Sequence, residues 1–182
     1  DAVTAHTEMG EDSFGEFFAV ADETGGCVFC LVRTSNPSAA ATQNLYTAHP
    51  DAEDVTASDL KRYYERMAAT IAEESGEHGE GTVGAVIGAT TLDELGDIVD
   101  IFLDNDVSPP LLLPGVGDQG AAAGDVHRRV VDRHGYPEEN VFINSSSGQT
   151  YRASKDGRPR EVHAEASVDE LERLIRETGG EP

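Results

Sequence analysis

Residues 111–124, "LLLPGVGDQGAAAG", hold residue types that could bind an anion. An apolar run ends at Pro114, and three glycines and a carboxamide follow it: Gly115, Gly117, Gly120 and Gln119. Glycines let backbone N–H groups turn toward a ligand without interference from a Cβ atom. The next helix would add its positive amino-terminal end, and the Gln119 amide would donate at any pH. We predict a phosphate-binding loop; a flexible connector is the open alternative, because glycine-rich turns are common.

Two more polar segments follow apolar runs. In "RTSNP", Ser35 and Asn36 could hydrogen-bond a heterocycle, or they could bond their own backbone within a turn. In "NSSSG", the hydroxyls of Ser145, Ser146 and Ser147 could bind an oxyanion or cap the next turn. No nucleophile with an evident base partner stands out in the sequence.

Strand and helix patterns alternate along the chain, with turn residues after nearly every strand. Apolar or β-branched runs at 27–33 and 111–113, and in "TVGAVIGAT" and "NVFIN", predict strands. Amphipathic segments between them predict helices. About five such units predict a parallel sheet whose ligand-binding loops leave the carboxyl ends of the strands.

Local signals predict where several elements begin and where backbones meet. The predicted helix caps are two single serines and two capping boxes: Ser13, Ser58, Thr91 with Glu94, and Ser167 with Glu170. Gly84 and Gly88, within a strand pattern, indicate close approach of another backbone. The polar stretch 44–57 lacks periodicity and is predicted to be a surface insertion.

Composition bounds the class of protein. The 182 residues fit a single domain, 1–182, and fall short of the roughly 250 of a complete eight-unit α/β barrel. Thirty-five acidic residues against 13 basic ones argue against nucleic acid or a membrane as partner, because phosphate contacts need clustered positive charge. Acid spread along the whole chain is typical of a halophilic protein, with an ordinary acidic protein as the alternative. Without a signal peptide or a long apolar stretch, we expect a cytoplasmic protein.

Cysteine and histidine patterns do not indicate a metal site. Cys27 and Cys30 lie three positions apart on a predicted strand, so their side chains should point to opposite faces as buried core thiols. The six histidines show no metal-ligand spacing. We expect no bound metal.

Five segments, taken in order, resemble the carboxyl-terminal part of orotidine 5'-phosphate decarboxylase in its longer bacterial and archaeal subfamily. They are "DAVTAHTEMGEDSF", "CLVRTSNP", "GAVIGATTLDEL", "LLLPGVGDQG" and "NVFINSSSGQTY". The resemblance implies an α/β fold of the (β/α)8 TIM-barrel type, of which this chain would hold the last five or so units. It also implies a homodimer that converts orotidine monophosphate to uridine monophosphate (UMP) and CO2, in pyrimidine biosynthesis, without a cofactor.

The same resemblance assigns roles to individual residues. Ser35 would contact the pyrimidine of the substrate. The other substrate contacts would come from Pro114, Val116 and Gln119. The phosphate would be bound by Gly117, Gln119, Gly120, Ser146 and Ser147. Binding energy from the non-reacting phosphate can then drive loop closure and preorganise the site.

Two departures from the family pattern affect function. The subfamily's last strand commonly runs Asn-Ser-Ser-Arg with the arginine on the phosphate; Ser147 stands in that place here, so Arg152 or another arginine would have to replace it. The family's Asp-x-Lys-x-x-Asp segment, whose lysine protonates the carbanion, has no match, since Lys61 falls in a predicted helix and Lys155 in a polar tail. We expect the chain to begin at the barrel's fourth strand, to hold no catalytic residue and to be inactive alone. The open alternative is a non-catalytic nucleotide- or phosphate-binding α/β module.

Overall fold

The computed structural model describes residues 1–49, 51–116, 120–145 and 160–179 of the chain. Its main element is a sheet of five parallel strands: β1 (Ala2–His6), β2 (Cys27–Arg33), β5 (Val83–Ile87), β6 (Leu111–Pro114) and β7 (Val141–Asn144). These strands lie side by side in chain order, which is expected of successive strand–helix units. The predicted α/β fold with a parallel sheet is confirmed.

Helices connect the strands. They are α1 (Glu11–Thr24), α2 (Ala40–Gln43), α3 (Tyr63–Glu77), α4 (Leu92–Asp104), α5 (Ala123–His127) and α6 (Arg160–Glu177). A π-helical turn, Arg128–Asp132, continues α5, and 3-10 turns lie at Thr7–Met9, Ala57–Asp59 and Glu138–Asn140. A separate antiparallel pair is formed by β3 (Tyr46–Thr47) and β4 (Lys61–Arg62).

The hydrophobic core lies between the helices and one face of the sheet. All five residues of β5 are buried, because helices cover one face of this central strand and the Phe29 ring lies over Gly84 on the other. In β2, Val28 and Cys30 face the core, where they join fully buried side chains from the helices: Phe18, Tyr64, Ile71, Leu95, Ile98 and Phe102. The core therefore fixes the strand ends relative to one another.

The two cysteines lie on opposite faces of β2, as the strand pattern predicts. Cys30 is fully buried, whereas Cys27 is half-buried, and both are free thiols. Burial raises the pKa of the Cys30 thiol to about 12, and burial also raises the pKa of the Cys27 thiol. Neither sulfur is therefore a ready nucleophile at neutral pH.

The second face of the sheet carries an apolar wall that is partly exposed. The Phe29 ring lies over Gly84 and meets the Phe142 ring edge to face, with 6.3 Å between centroids. Phe142 is 49% exposed. In the described part of the chain β1 and β7 are edge strands, so the five strands leave this wall open on one side.

The β1 edge also borders an apolar groove of about 470 Å³ between β1 and α1. Phe17 and Val20 of α1 line it and are 47% and 58% exposed. The groove lies near the amino ends of β1 and β2, away from the loops predicted to bind a ligand. It reflects an unpaired sheet edge rather than a site with converging polar groups.

Three of the predicted helix caps are wrong for local reasons. Helix α1 begins at Glu11, directly after Gly10 with its φ of +82°, so Ser13 lies inside the first turn. Ser58 lies in a 3-10 turn closed by hydrogen bonds between Thr56 and Asp59, and α3 begins only at Tyr63. Helix α6 begins seven residues before Ser167, at Arg160.

The stretch 44–57 leads from α2 toward β4. Its residues 46 and 47 pair with Arg62 and Lys61, so Lys61 lies in a short strand and not in the helix that its sequence context predicts. Leu45, Tyr46 and Val55 are exposed. That 44–57 is an insertion within a single domain stays a prediction.

Candidate functional site at the carboxyl ends of the strands

The carboxyl ends of β2, β5 and β6 are joined by backbone hydrogen bonds. The Gly88 N–H donates to the Arg33 carbonyl at 2.7 Å, and the Ala89 N–H donates to the Pro114 carbonyl at 2.8 Å. The Ala121 N–H, beyond the glycine-rich loop, donates to the Ala89 carbonyl at 3.4 Å. The loops that leave three neighbouring strands are therefore held at one place.

Glycines allow these loops to pack more closely than other residues would. A Cβ atom on Gly88 would lie 2.6 Å from the Ser35 nitrogen, and one on Gly115 would lie 2.9 Å from the Ser35 Cβ. Gly115 also has a φ of +95°, which residues with side chains rarely adopt. A Cβ on Gly120 would overlap the Gly115 carbonyl oxygen. Ser35 thus lies against the start of the glycine-rich loop, and the predicted close backbone approach at Gly84 and Gly88 is confirmed.

A buried ion pair lies beneath this junction. Arg33, the last residue of β2, is 6% exposed, and Glu94, in the first turn of α4, is 8% exposed. The Arg33 Nε donates to Glu94 Oε2 at 2.8 Å, and the Asn44 Nδ2 donates to Glu94 Oε1 at 2.6 Å. Both carboxylate oxygens are therefore occupied, and Glu94 does not close the capping box predicted with Thr91, although Thr91 is the N-cap residue.

Gln43 extends this pair to the segment that carries Ser35. Its Oε1 accepts from Arg33 Nη1 at 2.9 Å and from the Thr34 backbone N–H at 3.0 Å. The same Arg33 Nη1 donates to the Thr34 carbonyl at 2.9 Å. We call Arg33, Gln43, Asn44 and Glu94 the carboxyl-end network.

A register shift in β2 explains how a charged side chain at the end of an apolar strand reaches Glu94. Leu31 pairs with Val86, but Arg33 pairs with Ile87, so one extra residue lies in β2. Without the shift, Arg33 would share the face of Phe29 and Leu31. Bulges of this kind re-aim side chains next to functional sites.

The structure describes four of the predicted site residues. Ser35 is half-buried, Val116 is 3% exposed, and Pro114 ends β6, so these side chains and Gly120 lie around one junction. Asn36 accepts from the Thr34 hydroxyl at 2.6 Å and donates to Ser38, which matches the turn alternative for Asn36. The other predicted site residues lie outside the described part of the chain: Gly117, Gln119, Ser146 and Ser147.

Curated relatives are similar in sequence to most of the chain. The chain is 38% identical over 148 residues to an orotidine 5'-phosphate decarboxylase of Natronomonas pharaonis, and 33% identical over 177 residues to that of Halobacterium salinarum. These matches cover 81% and 97% of the chain but 45% and 58% of the relatives. No family model matches the chain.

A solved structure with the same family name is similar to the chain in fold. A Streptomyces avermitilis protein named as an orotidine 5'-phosphate decarboxylase superposes with a TM-score of 0.64 at 30% identity, over 99% of this chain and 55% of that one. The chain belongs to the orotidine 5'-phosphate decarboxylase family. It spans about half the length of the curated relatives that it matches. The haloarchaeal relatives agree with the acidic, halophilic composition of this decarboxylase-family chain.

Sequence reasoning missed the carboxyl-end network of this decarboxylase-family chain. The available signal was Arg33 itself, since a charge that ends a buried strand needs a partner. The spacing of Glu94 from Thr91 predicts a helix cap instead. The contact between Arg33 and Glu94 spans 61 residues, and local patterns do not report such distances.

A second charged cluster lies at the opposite, amino-terminal end of the sheet. Asp22, in the last turns of α1, accepts from the Thr82 hydroxyl at 2.6 Å and the Gly79 N–H at 3.0 Å, and its Oδ2 lies 2.7 Å from His78 Nδ1. These bonds, that of Thr82 first, lower the pKa of Asp22 to about 2. Glu74 lies 3.6 Å from His78 Nε2. We call Asp22, Glu74, His78 and Thr82 the amino-end cluster.

Other features bear less on chemistry. Within the described ranges, no group of three or more His, Cys, Asp or Glu side chains is placed to hold a metal ion. In the same ranges, no helix has both the length and the apolar composition needed to cross a bilayer.

Proposed function

We propose that this chain supplies the pyrimidine- and phosphate-binding part of an orotidine 5'-phosphate decarboxylase, which converts orotidine monophosphate to UMP and CO2. The observation that carries the proposal is the convergence of Ser35, Pro114, Val116 and Gly120 at the carboxyl ends of β2 and β6. This is the end at which parallel α/β enzymes bind their ligands.

The loop after β6 is proposed to bind the phosphate. Gly115 and Gly120 leave room for the backbone to turn, and the Ala121 N–H already ties the far end of the loop to Ala89. Backbone N–H groups attract phosphate through their partial positive charge, and this charge does not change with pH. They can therefore bind a dianion although the chain as a whole has a net charge of −22. Family resemblance adds Gly117, Gln119, Ser146 and Ser147 to this site.

The pyrimidine is proposed to lie against Ser35. The segment that carries Ser35 is packed by Gly88 on one side and by Gly115 on the other, so the Ser35 backbone and Cβ have a defined position. A preorganised donor contributes more to binding than one that must be ordered at the time of binding. Pro114 and Val116 would supply the apolar part of the pocket.

Alone, the chain is proposed not to decarboxylate. The family's reaction needs an Asp-x-Lys-x-x-Asp segment, in which carboxylates stress the substrate carboxylate and the lysine protonates the carbanion left by CO2. The two lysines of the chain are Lys61 and Lys155. Lys61 is exposed in β4, paired with Thr47, and is not at the Ser35 junction. Lys155 lies outside the described residues, and the sequence around it does not match the segment, since Ala153 and Arg158 stand where the two aspartates would be. The proton donor would therefore come from a segment outside residues 1–182.

Further parts of the proposal follow from the family. The complete protein would be a cytoplasmic homodimer whose small-molecule partners are orotidine monophosphate and UMP, with no cofactor, no nucleic acid and no membrane. Residues 1–182 would form a single domain, the carboxyl-terminal part of a barrel, with 44–57 inserted at its surface.

Calorimetry with UMP in molar KCl tests the binding part of the proposal. We expect a dissociation constant of about 1 mM or lower, equivalent to about 4 kcal/mol of binding free energy. Ribose 5-phosphate should bind more weakly and uridine more weakly still, because each lacks one of the two recognised groups. Equal heats for buffer and UMP would contradict the proposal.

A decarboxylation assay tests the catalytic part. The chain alone should release no CO2 from orotidine monophosphate above the uncatalysed background. Turnover by the chain alone would show that a proton donor lies within residues 1–182. Binding of UMP without turnover, together with a coding sequence that lacks an upstream Asp-x-Lys-x-x-Asp segment, would favour the non-catalytic nucleotide-binding module.

A further inference from the structure

We propose that Glu94 is a positioning residue for the Ser35 hydroxyl, acting through Arg33 and Gln43. The inference rests on the proposed function, because it takes Ser35 to face the pyrimidine of the ligand. Glu94 itself would touch neither the nucleotide nor the glycine-rich loop. Its effect would pass through two side chains to the peptide that precedes Ser35.

The geometry of the buried pair favours a role in positioning. The side chains of Arg33 and Glu94 are 7% and 10% exposed, so both charges have lost most of their water. Desolvation offsets much of the attraction in such pairs, and apolar replacements are often no less stable. A pair of this kind is better explained by the geometry that it imposes than by stability alone.

Hydrogen bonds to the N–H and the carbonyl of Thr34 hold the backbone directly before Ser35. The Thr34 N–H donates to Gln43 Oε1, and the Thr34 carbonyl accepts from Arg33 Nη1. Because Arg33 Nη1 also donates to Gln43 Oε1, the guanidinium and the carboxamide form one unit. Glu94 fixes the orientation of that guanidinium through Nε.

On its other side, the Ser35 segment has no room to move. The Gly88 Cα hydrogen points at the Ser35 backbone, where an added Cβ would come within 2.6 Å of the Ser35 nitrogen and 2.8 Å of the Thr34 carbonyl carbon. The carboxyl-end network therefore holds the segment against Gly88 and Gly115. Ser35 is located from two directions, and release from one side would let its hydroxyl move away from the loop that follows β6.

The hydrogen-bond partners of Glu94 connect it to the unit formed by Arg33 and Gln43. A glutamate three residues after the N-cap Thr91 would ordinarily bond the Thr91 N–H. Both Glu94 oxygens instead bind distant side chains, Arg33 at the end of β2 and Asn44 at the end of α2. Asn44 has a buried Oδ1 without a hydrogen-bond partner. A glutamine at position 94 could still accept from Arg33, and rotation of the Asn44 amide would let it donate to that oxygen.

Two variants separate positioning from stability. Gln43→Leu removes the acceptor for Thr34 and Arg33 from a half-buried site and leaves the ion pair intact. Glu94→Gln keeps the shape and one acceptor but removes the charge on the pair. Asp93→Asn is the matched control, since the Asp93 side chain is 93% exposed on the same turn of α4.

The experiment is calorimetry of each variant with UMP and with ribose 5-phosphate in molar KCl, together with thermal unfolding. Gln43→Leu should weaken UMP binding about tenfold and Glu94→Gln about threefold, within the range of one hydrogen bond. Neither variant should change ribose 5-phosphate binding, because the phosphate loop is not part of the network. Asp93→Asn should bind both ligands as the unaltered chain does.

Three results would overturn the inference. Equal weakening of UMP and ribose 5-phosphate would mean that the network holds the fold and not Ser35. Unchanged UMP binding in a folded Gln43→Leu protein would mean that the segment needs no positioning, and unchanged UMP binding in Glu94→Gln would mean that the charge of Glu94 has no part in it.

Failure of the proposed function gives a different pattern. If the unaltered chain did not prefer UMP to ribose 5-phosphate, the amide ¹⁵N and ¹H shifts of Ser35 would decide the positioning claim by themselves. Movement of the Ser35 signal in Glu94→Gln, but not in Asp93→Asn, supports positioning. Unmoved Ser35 signals in both Glu94→Gln and Gln43→Leu overturn it.

Discussion

Each end of the sheet carries a cluster of polar and charged side chains, and the two clusters differ in burial and in what they hold. At the carboxyl end, the side chains of Arg33 and Glu94 are at most 10% exposed. At the amino end, those of His78 and Asp22 are 20% and 35% exposed. The carboxyl-end network holds the segment of a predicted ligand-binding residue, whereas the amino-end cluster joins α1 to the turn before β5.

This difference distinguishes the proposed ligand-binding end of the sheet from the end that holds α1 in place. Asp22 accepts hydrogen bonds from Gly79 and Thr82, 57 and 60 residues away in the chain, and these bonds tie α1 to a single turn. Glu94 also binds distant residues, Arg33 and Asn44, but it does so in place of the helix-cap bond that its spacing from Thr91 predicts. When a carboxylate does not make the helix-cap bond that its position predicts, its side chain is being used to fix the position of other groups.

The largest effect is expected from breaking the buried pair. Glu94→Ala would leave the Arg33 guanidinium buried without its counter-charge, and such losses cost about 3 to 5 kcal/mol of unfolding free energy. Urea unfolding in molar KCl measures the cost. Asp22→Ala, at the more exposed end, should cost less, and the opposite ranking would contradict the contrast between the two ends.

The next largest effect is expected at the glycines of β5 and its loop. Gly88→Ala would push a methyl group into the Ser35 backbone, and Gly84→Ala would push one into the Phe29 ring and the Pro110 carbonyl. Overpacking of this kind costs about 1 to 3 kcal/mol of unfolding free energy. Both should destabilise the chain in urea, but Gly88→Ala alone should weaken UMP relative to ribose 5-phosphate. If Gly84→Ala weakened UMP binding relative to ribose 5-phosphate as much as Gly88→Ala did, strain anywhere in β5 would be able to disturb the site.

A smaller effect is expected from the pH dependence of the amino-end cluster. The pKa of Asp22 is lowered from 3.8 to about 2, first by the Thr82 hydroxyl, then by His78 and the Gly79 N–H. A lowered folded-state pKa gives stability that is present above pH 3.8 and is lost as the pH falls toward 2. Unfolding midpoints at pH 5 and below should therefore fall more steeply in the unaltered chain than in Asp22→Asn. Parallel curves for the two proteins would remove Asp22 as a source of acid sensitivity.

The smallest effect is expected at the cysteines, which lie in β2 between the two ends. Burial raises the pKa of both thiols, more for Cys30 than for the half-buried Cys27. A thiol reagent at pH 8 should label Cys27 slowly and Cys30 only on unfolding. Cys27→Ser should therefore abolish native-state labelling, and rapid labelling of Cys30 would indicate that β2 opens in the native state.

Much of the fold could be predicted from the sequence because its signals are local. Apolar runs bounded by turn residues predict the strands of the sheet, and their alternation with helices predicts its parallel order. Gly84 and Gly88 indicate close approaches because a glycine inside a strand pattern often marks a place where another backbone comes near. The placement of Ser35 beside the glycine-rich loop follows from the same parallel order.

The parts that could not be predicted depend on competition between local signals or on long-range contacts. Ser58 and Leu60 continue the pattern of α3 toward its amino terminus, yet Lys61 and Arg62 pair with β3 instead of extending the helix. The role of Glu94 depends on Arg33, which only the register shift in β2 aims at α4. A pattern of spacing does not encode such a shift.

The proposed nucleotide site is tested most simply by an NMR titration of the ¹⁵N-labelled chain with UMP in molar KCl. We predict that the amide signals of Ser35, Gly115 and Gly120 move with one common dissociation constant, while those of Gly79 and Thr82 at the amino end do not. If UMP moved the amino-end signals, or left Gly115 and Gly120 unmoved at millimolar concentration, the carboxyl ends of the strands would not be the nucleotide site.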